Sequence, residues 1–226
     1  IIMELDIRVK MNDKLFLRNP EETLLGRKIV KNGLLLINKI GFEDFTFKKL
    51  SIDVGTTEAS IYRYFENKHK FLVYLITWYW GYIEYKILFN LNNITNAEHK
   101  IKSIIKILVE EPNNKGLSSD FILEKDAYQL VMWEGSKAYL TRNVNKDNQD
   151  RLFKPYKDLC ERISKIIKEY NPKYKYPHSL ASTLIETSHS QKFFMENLPA
   201  LTDFHKDNYE KKIIEFIESI VFGTLH

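Results

Sequence analysis

The segment from Lys68 to about Phe89 limits the possible folds more than any other part of this chain. Drawn as a helix it is apolar nearly all round, with Leu72, Leu75, Ile76 and Tyr79 on one side and Phe71, Trp78 and Tyr82 on another. A helix of that kind must be covered from two directions. Its most apolar stretch, Phe71 to Ile83, is too short to span a bilayer and is interrupted by Thr77 and Gly81, so the cover is protein. The segment reads as a connector helix, residues 68–90, between two helical domains. With only 8 Gly and 6 Pro in 226 residues, the chain has few breakpoints for a fold of many short strands, and the expected class is all-α.

On the N-terminal side, residues 1–20 alternate apolar and charged types up to Pro20 and read as an extended arm or short strand outside the core. From Glu21 the spacing becomes helical. Ile29, Gly33, Leu36, Ile37 and Ile40 fall on one face of an amphipathic helix that ends at Gly41. Thr46 is placed to cap a short helix, Phe47 to Asp53. Val54-Gly55-Thr56 makes a tight turn, and Thr57 caps a second short helix that runs to Tyr64 or Phe65 with Ile61 and Phe65 inward. Asn67 caps the connector. Residues 21–67 therefore read as a helix-turn-helix domain.

Residues 91–226 carry helical patterns only. Thr95 and Glu98 have capping-box spacing for a helix of about 96–110, and Pro112 to Gly116 is a loop. One or two helices follow over 119–142, another over about 150–169 with Pro155 at its start or at a kink, and two more over about 178–197 and 206–222.

Several function classes lose support. Cys160 is the sole cysteine, so an internal disulfide and a cysteine-based zinc site are excluded, and a reducing, cytoplasmic setting is expected. The six histidines show no metal-ligand spacing. His189 lies beside Ser188 and Ser190, but adjacent helical residues point apart and no nucleophile elbow accompanies them. No glycine-rich phosphate loop is present. The expectation is a non-enzyme with no cofactor and no metal.

Net charge is +4, and residues 1–72 hold 13 Lys/Arg against 10 Asp/Glu, a mild bias toward an anionic partner. Lys48, Thr56, Thr57, Ser60, Tyr62, Arg63, Tyr64 and Lys68 cluster around the second short helix. Hydroxyls, cations and a helix N-terminus together suit phosphate contact, and a helix fits the major groove, where Lys48, Ser60 and Arg63 can reach base edges. Arg8, Lys10, Lys14 and Arg18 in the arm are candidates for the minor groove. The run FEDFTFKKLSIDVGTTEASIYRYFENKHKFL resembles the DNA-binding signature of the TetR/AcrR family of bacterial transcriptional regulators. The likeness lies in Gly41-Phe42, Thr46, Leu50, Gly55, the Ile61-Tyr62-x-Tyr64-Phe65 run and Lys68, and it covers about residues 27–72. It implies an N-terminal three-helix DNA-binding domain and a C-terminal helical ligand-binding and dimerisation domain. By the same likeness Thr46 and Lys48 start the first short helix near DNA, Thr57, Ser60, Tyr62 and Tyr64 line the recognition helix, and Lys68 meets phosphate. Thr56 and Glu58 depart from the usual pattern. Glu58 would face DNA, either accepting from a cytosine amino group or simply favouring the helix dipole.

Trp78, Tyr82, Trp133, Tyr139, His189 and Phe193 are the aromatic candidates for an effector pocket. Leu180, Leu184, Ile213, Phe216, Ile217 and Ile220 lie on the two final helices, which the resemblance makes a dimer interface. The expected function is a homodimeric transcriptional regulator, a repressor released from double-stranded operator DNA by a small apolar or aromatic effector, without membrane association. A helical protein-interaction module and an all-α enzyme are the rivals.

Overall fold

The computed structural model describes residues 9–112 and 122–225, so Arg8 and the loop and helix start expected over 113–121 lie outside the described residues. Among the described residues the fold is all-α, with no strand. The chain divides into two compact units, one of Ile1–Tyr82 with Glu111–Lys154 and one of Ile83–Glu110 with Pro155–His226.

In the first unit, α1 (Leu24–Ile40) starts where Thr23 Oγ1 accepts the Gly26 N–H at 2.9 Å. It stops at Gly41, whose positive φ of 79° is open to glycine. Ile29, Val30, Leu34 and Ile37 are buried, whereas Leu36 and Ile40 lie at the margin. α2 (Phe47–Val54) packs against α1, and α3 (Glu58–Tyr62) packs against α2. Their shared centre is aromatic. Phe71 stacks on Phe45 with centroids 5.5 Å apart and meets Phe65 edge-on at 4.8 Å. Gly33 lets α1 approach this cluster, for a Cβ there would sit 2.3 Å from Phe71 Cζ.

From residue 9 onward the N-terminal segment forms no strand and joins the core. Leu15 is buried, Phe16 meets Tyr74 edge-on, and Leu17 N–H donates to Tyr64 O at 2.7 Å. Asn12 donates to the carbonyls of Asp150 and Arg151, and Lys14 pairs with Asp150 at 2.6 Å. Lys14 thus has a carboxylate partner within its own chain, and the Arg18 guanidinium lies over the Tyr64 ring.

α6 (Glu124–Glu134), the turn Gly135–Ala138 and α7 (Val144–Gln149) belong to this same unit, although the sequence pattern grouped them with the C-terminal helices. Polar bonds between distant positions hold them there. Glu134 Oε1 accepts the Phe42 N–H at 3.0 Å, His69 Nε2 lies 2.8 Å from Asp147 Oδ2, and Thr77 Oγ1 donates to Leu152 O at 3.1 Å. α7 had no counterpart in the sequence reading.

α4 (Lys68–Leu91) begins in the first unit and ends in the second. The second unit continues with α5 (Ala97–Val109), α8 (Lys154–Tyr170), α9 (Pro177–Asn197) and α10 (Tyr209–Leu225). Asn96, not Thr95, caps α5, accepting from His99 N–H at 3.0 Å. Pro155 sits in the first turn of α8, where its missing N–H is tolerated. α5, α9 and α10 pack together around Ile104, Leu108, Leu184, Ile185, Ile213 and Ile217. No helix among the described residues is long and apolar enough to cross a membrane.

Candidate nucleic-acid interface

Three caps build the head of the first unit. Thr46 Oγ1 accepts from Lys49 N–H and opens α2. Gly55, left-handed at φ 74°, closes it and turns the chain. Thr57 Oγ1 then accepts from Ser60 N–H at 3.2 Å and lies 2.9 Å from Ser60 Oγ, opening α3. Burial of Phe47, Leu50, Ser51 and Val54 leaves positions 48, 49, 52 and 53 of α2 facing out. In α3 only Ile61 is fully buried, so Ala59, Tyr62 and Arg63 are exposed and Glu58 and Ser60 partly so.

Eight of the nine nominated residues therefore have at least partial solvent access: Thr46, Lys48, Thr57, Glu58, Ser60, Tyr62, Arg63 and Lys68. Tyr62 is 48% exposed, and its ring is braced edge-on against Phe47 at 5.0 Å. Tyr64 and Lys68 are bonded within the head. α3 ends at Tyr62, two residues short of the expected span, and the N–H groups of Tyr64 and Phe65 both return to Ile61 O. That tight return carries Tyr64 inward. It is 3% exposed with its hydroxyl 2.7 Å from Thr23 Oγ1, so it packs the head instead of lining its outer face. Lys68 Nζ donates to the carbonyls of Phe42, Glu43 and Phe45 at 3.1–3.3 Å and lies over the Phe42 ring. Its charge closes the turn between α1 and α2.

Two apolar surface residues lie beside the nominated set. Ile52 is 75% exposed, one turn beyond Lys48 on the same side of α2. Ala59 presents a methyl group beside Glu58.

The six aromatic candidates divide between the units. Trp78 and Tyr82 are buried and stacked, with centroids 5.5 Å apart and planes 7° from parallel. Tyr82 Oη donates to the buried Glu124 carboxylate at 2.7 Å, and burial followed by that bond holds the phenol well above its usual pKa. Trp133 is half exposed and Tyr139 half-buried, both in the first unit. His189 and Phe193 lie in the second unit. His189 is buried with Nδ1 3.0 Å from Ile185 O, and burial lowers its pKa.

The six interface candidates also divide. Leu180, Leu184, Ile213 and Ile217 are buried within their own chain, between α9, α10 and α5, so they form core and offer no surface to a partner. Phe216 is 38% exposed, edge-on to Phe204 at 5.6 Å, and Ile220 is partly exposed.

No family model and no curated protein matches the sequence. Solved structures do match in shape. The fatty acid degradation regulator FadR from Bacillus halodurans superposes with a TM-score of 0.62 at 15% identity, covering 89% of this chain and 96% of that one. AibR in complex with isovaleryl coenzyme A and operator DNA gives 0.59 at 13%, covering 87% and 98%. A TetR-family protein from Vibrio parahaemolyticus gives 0.57 at 14%, covering 85% and 95%. At such identities the likeness is one of architecture, and in architecture this chain has the fold of the TetR-family regulators.

Proposed function

We propose that the protein is a sequence-specific DNA-binding transcriptional regulator, a cytoplasmic homodimeric repressor released by a small apolar or aromatic effector, and not an enzyme. The observation that carries this reading is the outer side of α3. Tyr62 and Arg63 project from a short capped helix whose inner side is fixed by Ile61, and the Arg63 guanidinium has no hydrogen bond or ion pair among the described residues. A rigid helix with an uncommitted cation and a braced phenol fits phosphate contact and groove entry. The neighbours add support at the level of fold, since AibR was solved on operator DNA with an acyl coenzyme A.

Two copies would present two such helices, and the operator would then be nearly palindromic, with half-sites about one helical turn apart or somewhat more. An effector that binds one setting of α4 better than another would shift the population away from the DNA-competent state. The test is titration of the full chain against duplexes from its own upstream region at increasing salt. The logarithm of affinity should fall with the logarithm of salt by about 0.9 per phosphate neutralised. Arg63→Ala and Lys48→Ala should each reduce that slope by about 1 if they meet phosphate. A monomer with no affinity for any duplex at low salt would refute the reading in favour of a protein-interaction module.

A further inference from the structure

We propose that Glu58 is a specificity-determining residue that accepts a hydrogen bond from a cytosine N4 amino group in each half-site, so that the preferred operators carry a fixed C·G pair there. This rests on the DNA-binding reading above and specifies which base pair the head selects.

Glu58 is the first residue of α3 and is partly exposed, between exposed Thr57 and Ala59 and with exposed Tyr62 one turn on. A carboxylate at that position could serve only the helix itself. But the capping work is already done, because Thr57 Oγ1 takes the Ser60 N–H. Among the described residues the Glu58 carboxylate makes no hydrogen bond and no ion pair. The neighbouring polar groups are more committed. The Thr57 and Ser60 hydroxyls face each other at 2.9 Å, Lys49 Nζ is held by Asp44 O at 2.7 Å, and Lys68 is held by three carbonyls. Glu58 is thus an unengaged anion on a face otherwise suited to a polyanion.

Placing such a group against DNA is unfavourable unless it finds a donor. An ionised carboxylate only accepts. In the major groove guanine offers two acceptors, thymine an acceptor and a methyl, and adenine a donor beside the N7 acceptor. Cytosine alone offers an amino donor with no acceptor on the same base edge, so it is the base that a carboxylate selects. The exposed Ala59 methyl adds an apolar contact suited to a neighbouring thymine methyl.

The experiment is selection of the full-length wild-type protein, Glu58→Ala and Glu58→Gln on a randomised duplex library, followed by affinity measurement on the selected duplex with its C·G pair changed to T·A. The wild type should recover a C·G pair repeated symmetrically in both half-sites. The T·A change should weaken wild-type binding roughly 5- to 150-fold. Glu58→Ala should bind both duplexes alike, and Glu58→Gln, which can donate as well as accept, should also admit A·T. Circular dichroism melts of both variants check that the fold is retained, and the isosteric Gln variant stands if the Ala variant melts early. A selected pool whose base preferences are unchanged in both variants, or a uniform tightening on every sequence in Glu58→Ala, would overturn the proposal while leaving DNA binding intact. A wild type that binds no duplex even at about 50 mM salt would overturn both readings together.

Discussion

Gly33→Ala sets two opposing effects against each other at the centre of the head. Alanine in a helix interior is favoured over glycine by about 1 kcal/mol, so on propensity alone the substitution stabilises α1. The added Cβ, however, would lie 2.3 Å from Phe71 Cζ and 2.6 Å from Cε1, more than 1 Å inside ordinary carbon contact of about 3.5–4.0 Å. A mobile side chain could yield, but Phe71 cannot. It is fully buried, stacked on Phe45 at 5.5 Å and edge-on to Phe65 at 4.8 Å and Phe47 at 6.2 Å. Overpacking of this kind costs roughly 1–3 kcal/mol, and a ring gripped on three sides puts the site at the upper end. The net expectation is a loss of roughly 1–2 kcal/mol after the propensity gain, or about 2–8 °C in Tm for a chain of this size. Thermal melts of Gly33→Ala, Phe71→Leu and the double variant measure it. Shortening the ring should relieve the clash, so the double variant should lose less than the two single losses combined, by about 0.5 kcal/mol or more. A Tm that rises in Gly33→Ala, or strict additivity, would refute the packing argument.

Removing the Glu134 carboxylate (Glu134→Ala) leaves the buried Phe42 N–H without its 3.0 Å partner and Lys137 without its 2.7 Å one; the expected loss is roughly 1–3 kcal/mol in a urea melt, and an unchanged midpoint would contradict it. His189 has its pKa lowered by burial, so the folded state disfavours its proton and its contribution to stability is present above the ordinary histidine range. Stability should decline as pH falls below about 6.5, and His189→Gln should flatten that decline; equal pH profiles would count against it. On α10 two adjacent residues should respond differently. Phe216→Glu, at a position 38% exposed, should shift sedimentation from dimer to monomer with a smaller loss of stability than Ile217→Ala, which at a buried position should lose about 2–5 kcal/mol. A monomeric wild type would remove the first half of that contrast.

The legible parts of this fold are those decided within a turn or two of chain. Thr46 and Thr57 cap α2 and α3 as their spacing implies, Gly41 and Gly55 end α1 and α2, and the long apolar helix runs unbroken from Lys68 to Leu91. Parts decided by partners far along the chain were not legible. Nothing periodic in residues 122–154 announces that Glu134 will take the Phe42 N–H or that Asp147 will sit 2.8 Å from His69, and those bonds join α6 and α7 to the first unit. Tyr64 misled for a related reason. The family likeness put it on the recognition helix, whereas the chain leaves the helix after Tyr62 and the ring turns in to meet Thr23, 41 positions away.

The same distinction separates the residues of α10. A wheel finds an apolar stripe but not what lies against it, and Ile213, Phe216, Ile217 and Ile220 share one broad stripe. Successive helical positions differ by about 100°, and that angle divides the stripe in two. Ile213, Ile217, Val221 and Leu225, four apart, turn into the unit and are buried, with α5 and α9 packed against the helix. Phe216 and Ile220 are rotated out of that face and keep solvent access. Burial in the chain's own core fully accounts for the first set. The second set needs another explanation, because an outward phenylalanine edge-on to Phe204 still leaves more than a third of its surface in water. A dimer formed through α10 would therefore draw on Phe216 and Ile220 from this stripe, while the buried residues fix the helix that presents them.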